Sequence, residues 1–130
     1  MILALKTDQP EAEIYLLNDS GEHVDSIIWS AHRALSITIL DKIELILTKN
    51  NKSLSDITGI IVFEGPGSFT GLRIGITVAN TMAYSLLVPI ASASGSDWIK
   101  SSTDSLLKCY SPKVISPLYG SEPNITKPKK

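Results

Sequence analysis

Residues 64–75 contain the backbone and side-chain groups whose types and spacing best suit ligand binding. The segment reads Glu-Gly-Pro-Gly-Ser-Phe-Thr-Gly-Leu-Arg-Ile-Gly and joins an aliphatic run to an apolar pattern of helical length, which predicts a strand, a turn and a helix. In such a turn, glycines let backbone amides approach an anion, and a hydroxyl caps the helix. The candidate phosphate-contact residues are Gly65, Pro66, Gly67, Ser68 and Thr70.

A tight turn with a purely structural role is the alternative interpretation of this segment. No Gly-Lys-Ser/Thr follows, so it is not a Walker loop, and Thr70 stands where the dinucleotide-binding pattern requires its third glycine. A strand-turn-helix pattern fits both interpretations, so both stay open.

The sequence offers few side chains for catalysis or metal binding. Its two histidines are His23 and His32, its single cysteine is Cys109, and it contains no His-Glu-x-x-His or Cys-x-x-Cys pattern. We expect His32 to cap or enter a helix rather than bind a metal. We expect Cys109 to be structural, because it has no nucleophile-elbow context. The sequence therefore predicts no catalytic residue, no metal site and no cofactor.

Composition predicts one globular domain without a strong charge. The chain has 130 residues, 43% hydrophobic content and a formal net charge of -1, so it has no general field that would attract nucleic acid. No signal peptide pattern opens the sequence, which predicts a cytoplasmic protein.

Residues 74–96 carry no charged side chain and are long enough to span a bilayer. Thr77 and Asn80 place polar groups along this stretch, and Pro89 would interrupt a helix near its end. A buried helix followed by a buried strand is the interpretation that we favour over a membrane span.

Apolar periodicity predicts a ribonuclease-H-like α/β lobe of the class found in actin and Hsp70. Three meandering strands precede a helix-strand-helix-strand-helix order, which gives a mixed five-stranded sheet with helices. The predicted strands cover residues 2–6, 13–18, 24–29, 59–64 and 88–92, and the predicted helices cover 34–50, 70–87 and 96–108.

Turn and cap signals define the ends of several predicted elements. Residues 18–22 read Asn-Asp-Ser-Gly-Glu and suit a hairpin turn, and Ser94 with Asp97 has the spacing of a capping box. We expect the lobe to cover residues 1–108 and residues 109–130, rich in proline and lysine, to form an extended tail.

The helix predicted for residues 70–87 has two faces that favour burial. One is a ridge of small residues that another helix could approach closely, made of Gly71, Gly75, Ala79 and Ala83. The other is a larger apolar ridge that we expect to pack on the sheet, made of Ile74, Val78, Met82 and Leu86. The preceding helix also has spare apolar residues, Ile37 and Leu45. These two helices either pack on each other or form a protein interface.

The segment from Gly65 to Gly75 resembles, nearly letter for letter, the signature of bacterial TsaB (YeaZ-type) proteins. These are glycoprotease-like subunits of the machinery that installs threonylcarbamoyl-adenosine in tRNA. The resemblance includes Ala31-His32-Arg33 and residues 89–94, and it covers roughly residues 1–107. Family members usually carry a second, similar lobe, so we expect this chain to correspond to the N-terminal lobe.

The resemblance implies a non-catalytic scaffold or activator of threonylcarbamoyl-adenosine (t6A) formation in tRNA. It implies pairing with the catalytic TsaD-type paralogue, a TsaE-type ATPase as a further partner, a homodimer when alone, and only indirect contact with tRNA. In the family, the two helices form the association surface, which implies these interface residues: Leu35, Ile39, Ile43, Gly71, Gly75, Ala79 and Ala83.

The rival hypotheses are a nucleotide-binding relic of an ATPase or kinase and a homodimeric module outside the tRNA pathway. An actin-like ATPase places an acidic residue at the end of the first strand to hold magnesium-bound phosphates, but this sequence has Lys6 there. We expect a solvated Lys6. The alternatives are a lysine-phosphate contact or substitution of the missing acid by Asp8.

Overall fold

The computed structural model describes residues 1–31 and 34–107, in which five strands and three helices form. The strands are β1 (Ile2–Lys6), β2 (Glu11–Leu17), β3 (His23–Ser30), β4 (Gly59–Phe63) and β5 (Ile90–Ala93). The helices are α1 (Leu35–Lys49), α2 (Phe69–Leu86) and α3 (Trp98–Leu107), with a 3₁₀ turn at Leu54–Asp56. Every predicted strand and helix is present, and the bounds differ from the prediction by two residues or fewer.

The strands form one mixed five-stranded sheet, which confirms the prediction, and their order is β3-β2-β1-β4-β5. The pairs β1–β2 and β2–β3 are antiparallel, whereas β1–β4 and β4–β5 are parallel. The carboxyl ends of β1, β4 and β5 therefore share one edge of the sheet, which is where ligand sites form in sheets of this kind.

The two faces of the sheet are covered by different helices. On one face, the Trp29 indole N–H of β3 donates to Thr38 of α1 at 3.0 Å. On the other face, the rings of Tyr15 and Phe63 lie 6.2 Å and 5.7 Å from the Trp98 ring of α3. Since both faces of the central strands are covered, β1 and β4 read as continuous apolar runs.

The predicted hairpin turn between β2 and β3 is confirmed. The Asn18 side-chain oxygen accepts hydrogen bonds from the backbone amides of Ser20 and Glu22, both at 2.9 Å. Asp19 at the tip accepts a hydrogen bond from the Met1 ammonium at 2.7 Å. That bond, with a further one from Thr58, lowers the pKa of Asp19.

The predicted cap of α2 is confirmed, whereas the predicted cap of α3 is wrong. Ser68 caps α2, because its hydroxyl accepts from the Gly71 amide at 3.4 Å. The predicted capping box at Ser94 is wrong, since α3 begins at Trp98. The Ser94 hydroxyl instead donates to Glu64 at 3.5 Å.

The two apolar ridges of α2 have exchanged places relative to the prediction. The small ridge faces the sheet: Ala79 is fully buried, and Gly75 and Ala83 are buried beside it. The larger residues lie only partly buried at the edge of the core, and they are Ile74, Val78, Met82 and Leu86. The physical reason is close packing, because the backbone of α2 approaches the end of β1 at a distance that leaves no room for larger side chains.

The main apolar stripe of α1 also packs inside the chain. Leu35, Ile39 and Ile43 are at most 4% exposed and lie in the core. The predicted interface set is therefore corrected for Leu35, Ile39, Gly75, Ala79 and Ala83, whose surfaces are covered within this chain. The interface roles of Ile43 and Gly71 stay predictions.

Several expectations concern residues outside the described part of the chain. These are the helix-entry role of His32, the structural role of Cys109 and the extended tail at 109–130. Among the described residues, no helix is both long and apolar enough to cross a membrane.

Candidate functional site

The glycine-rich turn lies directly against the segment that follows β1. The Ser68 amide donates to the Asp8 carbonyl at 3.0 Å, and a side chain at position 67 would overlap Asp8. Gly65 has φ +117, a backbone conformation that other residues rarely adopt. The turn and the end of β1 therefore form one packed unit.

Thr7 links this unit to the first turns of α2. Its side chain is 1% exposed, and its hydroxyl donates to the Gly71 carbonyl at 2.7 Å. A side chain at Gly71 would overlap the Thr7 carbonyl, and one at Gly75 would overlap the Thr7 hydroxyl. Contact with Thr7 thus requires glycine at positions 71 and 75.

Lys6 pairs with Asp8 and does not extend into solvent. Its ammonium lies 2.7 Å from the Asp8 carboxylate and 4.6 Å from the centre of the Phe63 ring. The two side chains are 19% and 8% exposed. The expectation of a solvated lysine is wrong, because Phe63 of the neighbouring strand β4 and Asp8 together hold the cation.

Glu64 directly follows β4. Its carboxylate accepts hydrogen bonds from Ser92 at 2.7 Å and from Ser94 at 3.5 Å. These bonds tie the start of the glycine turn to the end of β5, at the same edge of the sheet as Lys6 and Asp8.

The polar groups of this edge are bonded to one another, and this limits the chemistry they can do. The Ser68 amide and the Lys6 ammonium, both of which an incoming phosphate would use, are bonded to Asp8. Among residues 1–31 and 34–107, no group of three or more His, Cys, Asp or Glu residues is placed to hold a metal ion. The phosphate-contact role of the turn stays a prediction.

A second candidate site lies on the outer side of α1 and α2, where two grooves meet at Leu40. The first groove has a volume of about 530 Å³, and its apolar lining consists of Leu40, Ile43, Leu47, Leu54 and Met82. The second has a volume of about 330 Å³, and its apolar lining consists of Leu40, Ile74 and Val78. We call these together the α1–α2 grooves.

The rims of the α1–α2 grooves carry charges of both signs. Glu44 and Lys52 border the first groove, and Arg73 borders the second. Leu40 is 57% exposed, so a large apolar side chain stands in solvent between the two. Ile37 and Leu45 are also exposed, which confirms that α1 carries apolar surface beyond its core stripe.

Residues 29–102 match the family model of TsaD, tRNA N6-adenosine threonylcarbamoyltransferase. The chain belongs to this family. Within the TsaD family it is of the TsaB (YeaZ) type. It is 33% identical over 93 residues to the tRNA threonylcarbamoyladenosine biosynthesis protein TsaB of Bacillus subtilis (strain 168), covering 72% of this chain and 40% of that protein.

Further relatives agree on the TsaB type. The TsaB protein of Escherichia coli (strain K12) is 36% identical over 93 residues, which cover 72% of this chain and 39% of that one. The structure of YeaZ from Pseudomonas aeruginosa aligns with a TM-score of 0.66 at 30% identity, covering 72% of this chain and 43% of YeaZ. The chain thus spans about 40% of the length of the curated relatives it matches.

The sequence of this TsaB-type chain did not predict the roles of two residues, Thr7 and Leu40. Thr7 has no motif of its own, and its role appears only when β1 and α2 meet. Leu40 was not singled out, although it lies one residue after Ile39 and therefore points about 100° away from it on a helix. That angular offset is the signal that could have placed Leu40 on the outer side.

Proposed function

We propose that this chain is a non-catalytic partner, a scaffold or activator, in the biosynthesis of threonylcarbamoyl-adenosine in tRNA. It binds a catalytic TsaD-type chain through the α1–α2 grooves. The observation that carries the proposal is the pair of apolar grooves that meet at the exposed Leu40. The TsaB relatives support the pathway, since they are named as threonylcarbamoyladenosine biosynthesis proteins.

The shape and chemistry of the grooves suit an amphipathic helix. A helix presents apolar side chains three or four residues apart on one face, and such side chains can fill neighbouring apolar grooves. Glu44, Lys52 and Arg73 at the rims would orient that helix and select its charges. The interface is therefore made by the larger residues of α2, while its small residues remain in the core.

The packing at the end of β1 supports a scaffold over a nucleotide-binding enzyme. The Ser68 amide, which a phosphate at the turn would use, is already bonded to the Asp8 carbonyl. The Asp8 carboxylate neutralises the Lys6 ammonium and would repel an anion at this place. We accordingly expect ATP and ADP to bind with dissociation constants of about a millimolar or weaker.

The remaining partners follow from this role. Alone, the chain pairs with a second copy through the same grooves, and a TsaE-type ATPase joins the complex through the catalytic subunit. Contact with tRNA is indirect, and the role implies a cytoplasmic location.

Reconstitution tests the proposed function. The TsaD-type chain of the same organism is supplied with tRNA and the other components of the pathway, with and without this chain, and threonylcarbamoyl-adenosine in the tRNA is measured by mass spectrometry. We expect formation to increase when this chain is added and to be absent when it replaces the TsaD-type chain. Product formed by this chain without the TsaD-type chain would contradict the non-catalytic role, and no effect of adding it would contradict the activator role.

A further inference from the structure

Thr7 directly follows β1 and contacts a helix at two successive turns, at Gly71 and at Gly75. Its hydroxyl donates to the Gly71 carbonyl at 2.7 Å, and its side chain fills the space in which Gly75 would otherwise carry a Cβ. The side chain is 1% exposed, so water does not compete for this hydrogen bond.

The contact fixes the orientation of α2 about its own axis. Gly71 and Gly75 lie on the inner side of the helix, and Ile74 and Val78 follow on the groove side of the same turns. With side chains, a helix has a radius of about 5 Å, so a rotation of about 20° would move side-chain ends by roughly 2 Å. A displacement of that size is large compared with the fit that a packed interface needs.

We propose that Thr7 is a positioning residue for partner binding, which it serves by holding α2 in the orientation that forms the α1–α2 grooves. This inference rests on the proposed function, because it concerns the same surface. The Thr7 hydroxyl is the group that acts, since its hydrogen bond to Gly71 has a defined direction, whereas apolar contact is non-directional.

Three variants separate positioning from simple packing. Thr7→Val keeps the volume but loses the hydroxyl, and Thr7→Ser keeps the hydroxyl. Thr103→Val is the matched control, because Thr103 is also buried, but its hydroxyl has no hydrogen-bond partner and it lies on α3, across the sheet from α2.

Two readouts apply to each variant: affinity for the TsaD-type chain of the same organism by calorimetry, and backbone hydrogen exchange of each helix. In Thr7→Val, binding has to restore the orientation of α2, so we expect an affinity loss of about fivefold, on the order of one hydrogen bond. Exchange in the first turns of α2 should rise while α1 and α3 keep their protection. Thr7→Ser and Thr103→Val should bind like the wild type.

The outcomes also distinguish this inference from the proposed function. Wild-type affinity with unchanged α2 exchange in Thr7→Val would overturn the positioning role, as would exchange that rises equally in all three helices. If the wild-type chain itself does not bind the TsaD-type chain, the proposed function fails, and with it the claim that Thr7 serves binding. The exchange data then still decide whether Thr7 orients α2.

Discussion

Lys6 and Asp8 pair with each other at the end of β1, with the ammonium 2.7 Å from the carboxylate. The Asp8 backbone carbonyl also accepts from Ser68 at the start of α2. The ion pair therefore lies at the edge of the sheet where the carboxyl ends of the parallel strands meet. The Asp8 carbonyl joins the end of β1 to the glycine-rich turn.

The Lys6–Asp8 pair should contribute to stability as a unit. We expect Asp8→Asn and Lys6→Met each to lower the free energy of unfolding by about 2 kcal/mol, because each leaves a largely buried charge without its partner. The double variant should lose less than the sum of the two. Urea unfolding of all four proteins measures this, and strictly additive losses would show that the two charges do not interact.

Ala79→Arg should prevent folding. Ala79 is fully buried between α2 and the sheet, so arginine would overpack the core and bury an unpaired charge. Thr81→Arg on the exposed side of the same helix is the control and should fold. Circular dichroism distinguishes them, and a folded Ala79→Arg variant with wild-type stability would contradict the assigned face of α2.

The sequence alone did not show which face of α2 packs on the sheet. Both ridges of the helix are apolar, so periodicity located two buried sides, but the assignment of the larger ridge to the sheet was wrong. The packed face depends on Thr7, whose contact with Gly71 and Gly75 requires a backbone approach that larger residues would block. That is a tertiary contact between distant parts of the chain, and local patterns do not report it.

The strands and the hairpin turn could be predicted from local sequence patterns. Runs of apolar residues in β1 and β4 specify strands covered on both faces, and Asn18 with Gly21 specifies the hairpin turn. The state of Lys6 was not accessible, because it depends on Phe63 lying beside it on the neighbouring strand.

Removing the unpaired hydroxyls of α3 should stabilise the chain. Ser102 and Thr103 are buried, and their hydroxyls have no hydrogen-bond partner, which costs free energy relative to hydration in the unfolded state. We expect Ser102→Ala and Thr103→Val each to raise the free energy of unfolding by about 1 kcal/mol. Thermal and urea unfolding measure this, and a loss of stability in both variants would show that these hydroxyls are satisfied in solution.

Stability should fall with rising pH above about 10 because of Tyr15. Burial, followed by a hydrogen bond to Glu13, raises the pKa of Tyr15 to about 12 from the ordinary value of 10.0. Below pH 10 the phenol is neutral in both states, so its contribution is fully present. Between pH 10 and about 12 the unfolded chain loses this proton first, which favours unfolding.

The variant Tyr15→Phe isolates this contribution, since the lysines titrate in both proteins. Urea unfolding across this pH range should show the wild type losing more stability than Tyr15→Phe. Parallel curves for the two proteins would show that the Tyr15 pKa is the same in the folded and unfolded chains.

Partner binding through the α1–α2 grooves is tested most directly by the affinity of the TsaD-type chain for the variants Leu40→Arg and Ile28→Arg. Leu40 and Ile28 are 57% and 58% exposed, but Ile28 lies on the edge strand β3, away from the α1–α2 grooves. We predict that Leu40→Arg stays folded and loses tenfold or more in affinity, about 1.4 kcal/mol or more, while Ile28→Arg binds like the wild type. Equal affinity of the TsaD-type chain for the wild type and for Leu40→Arg would show that the α1–α2 grooves do not bind this partner.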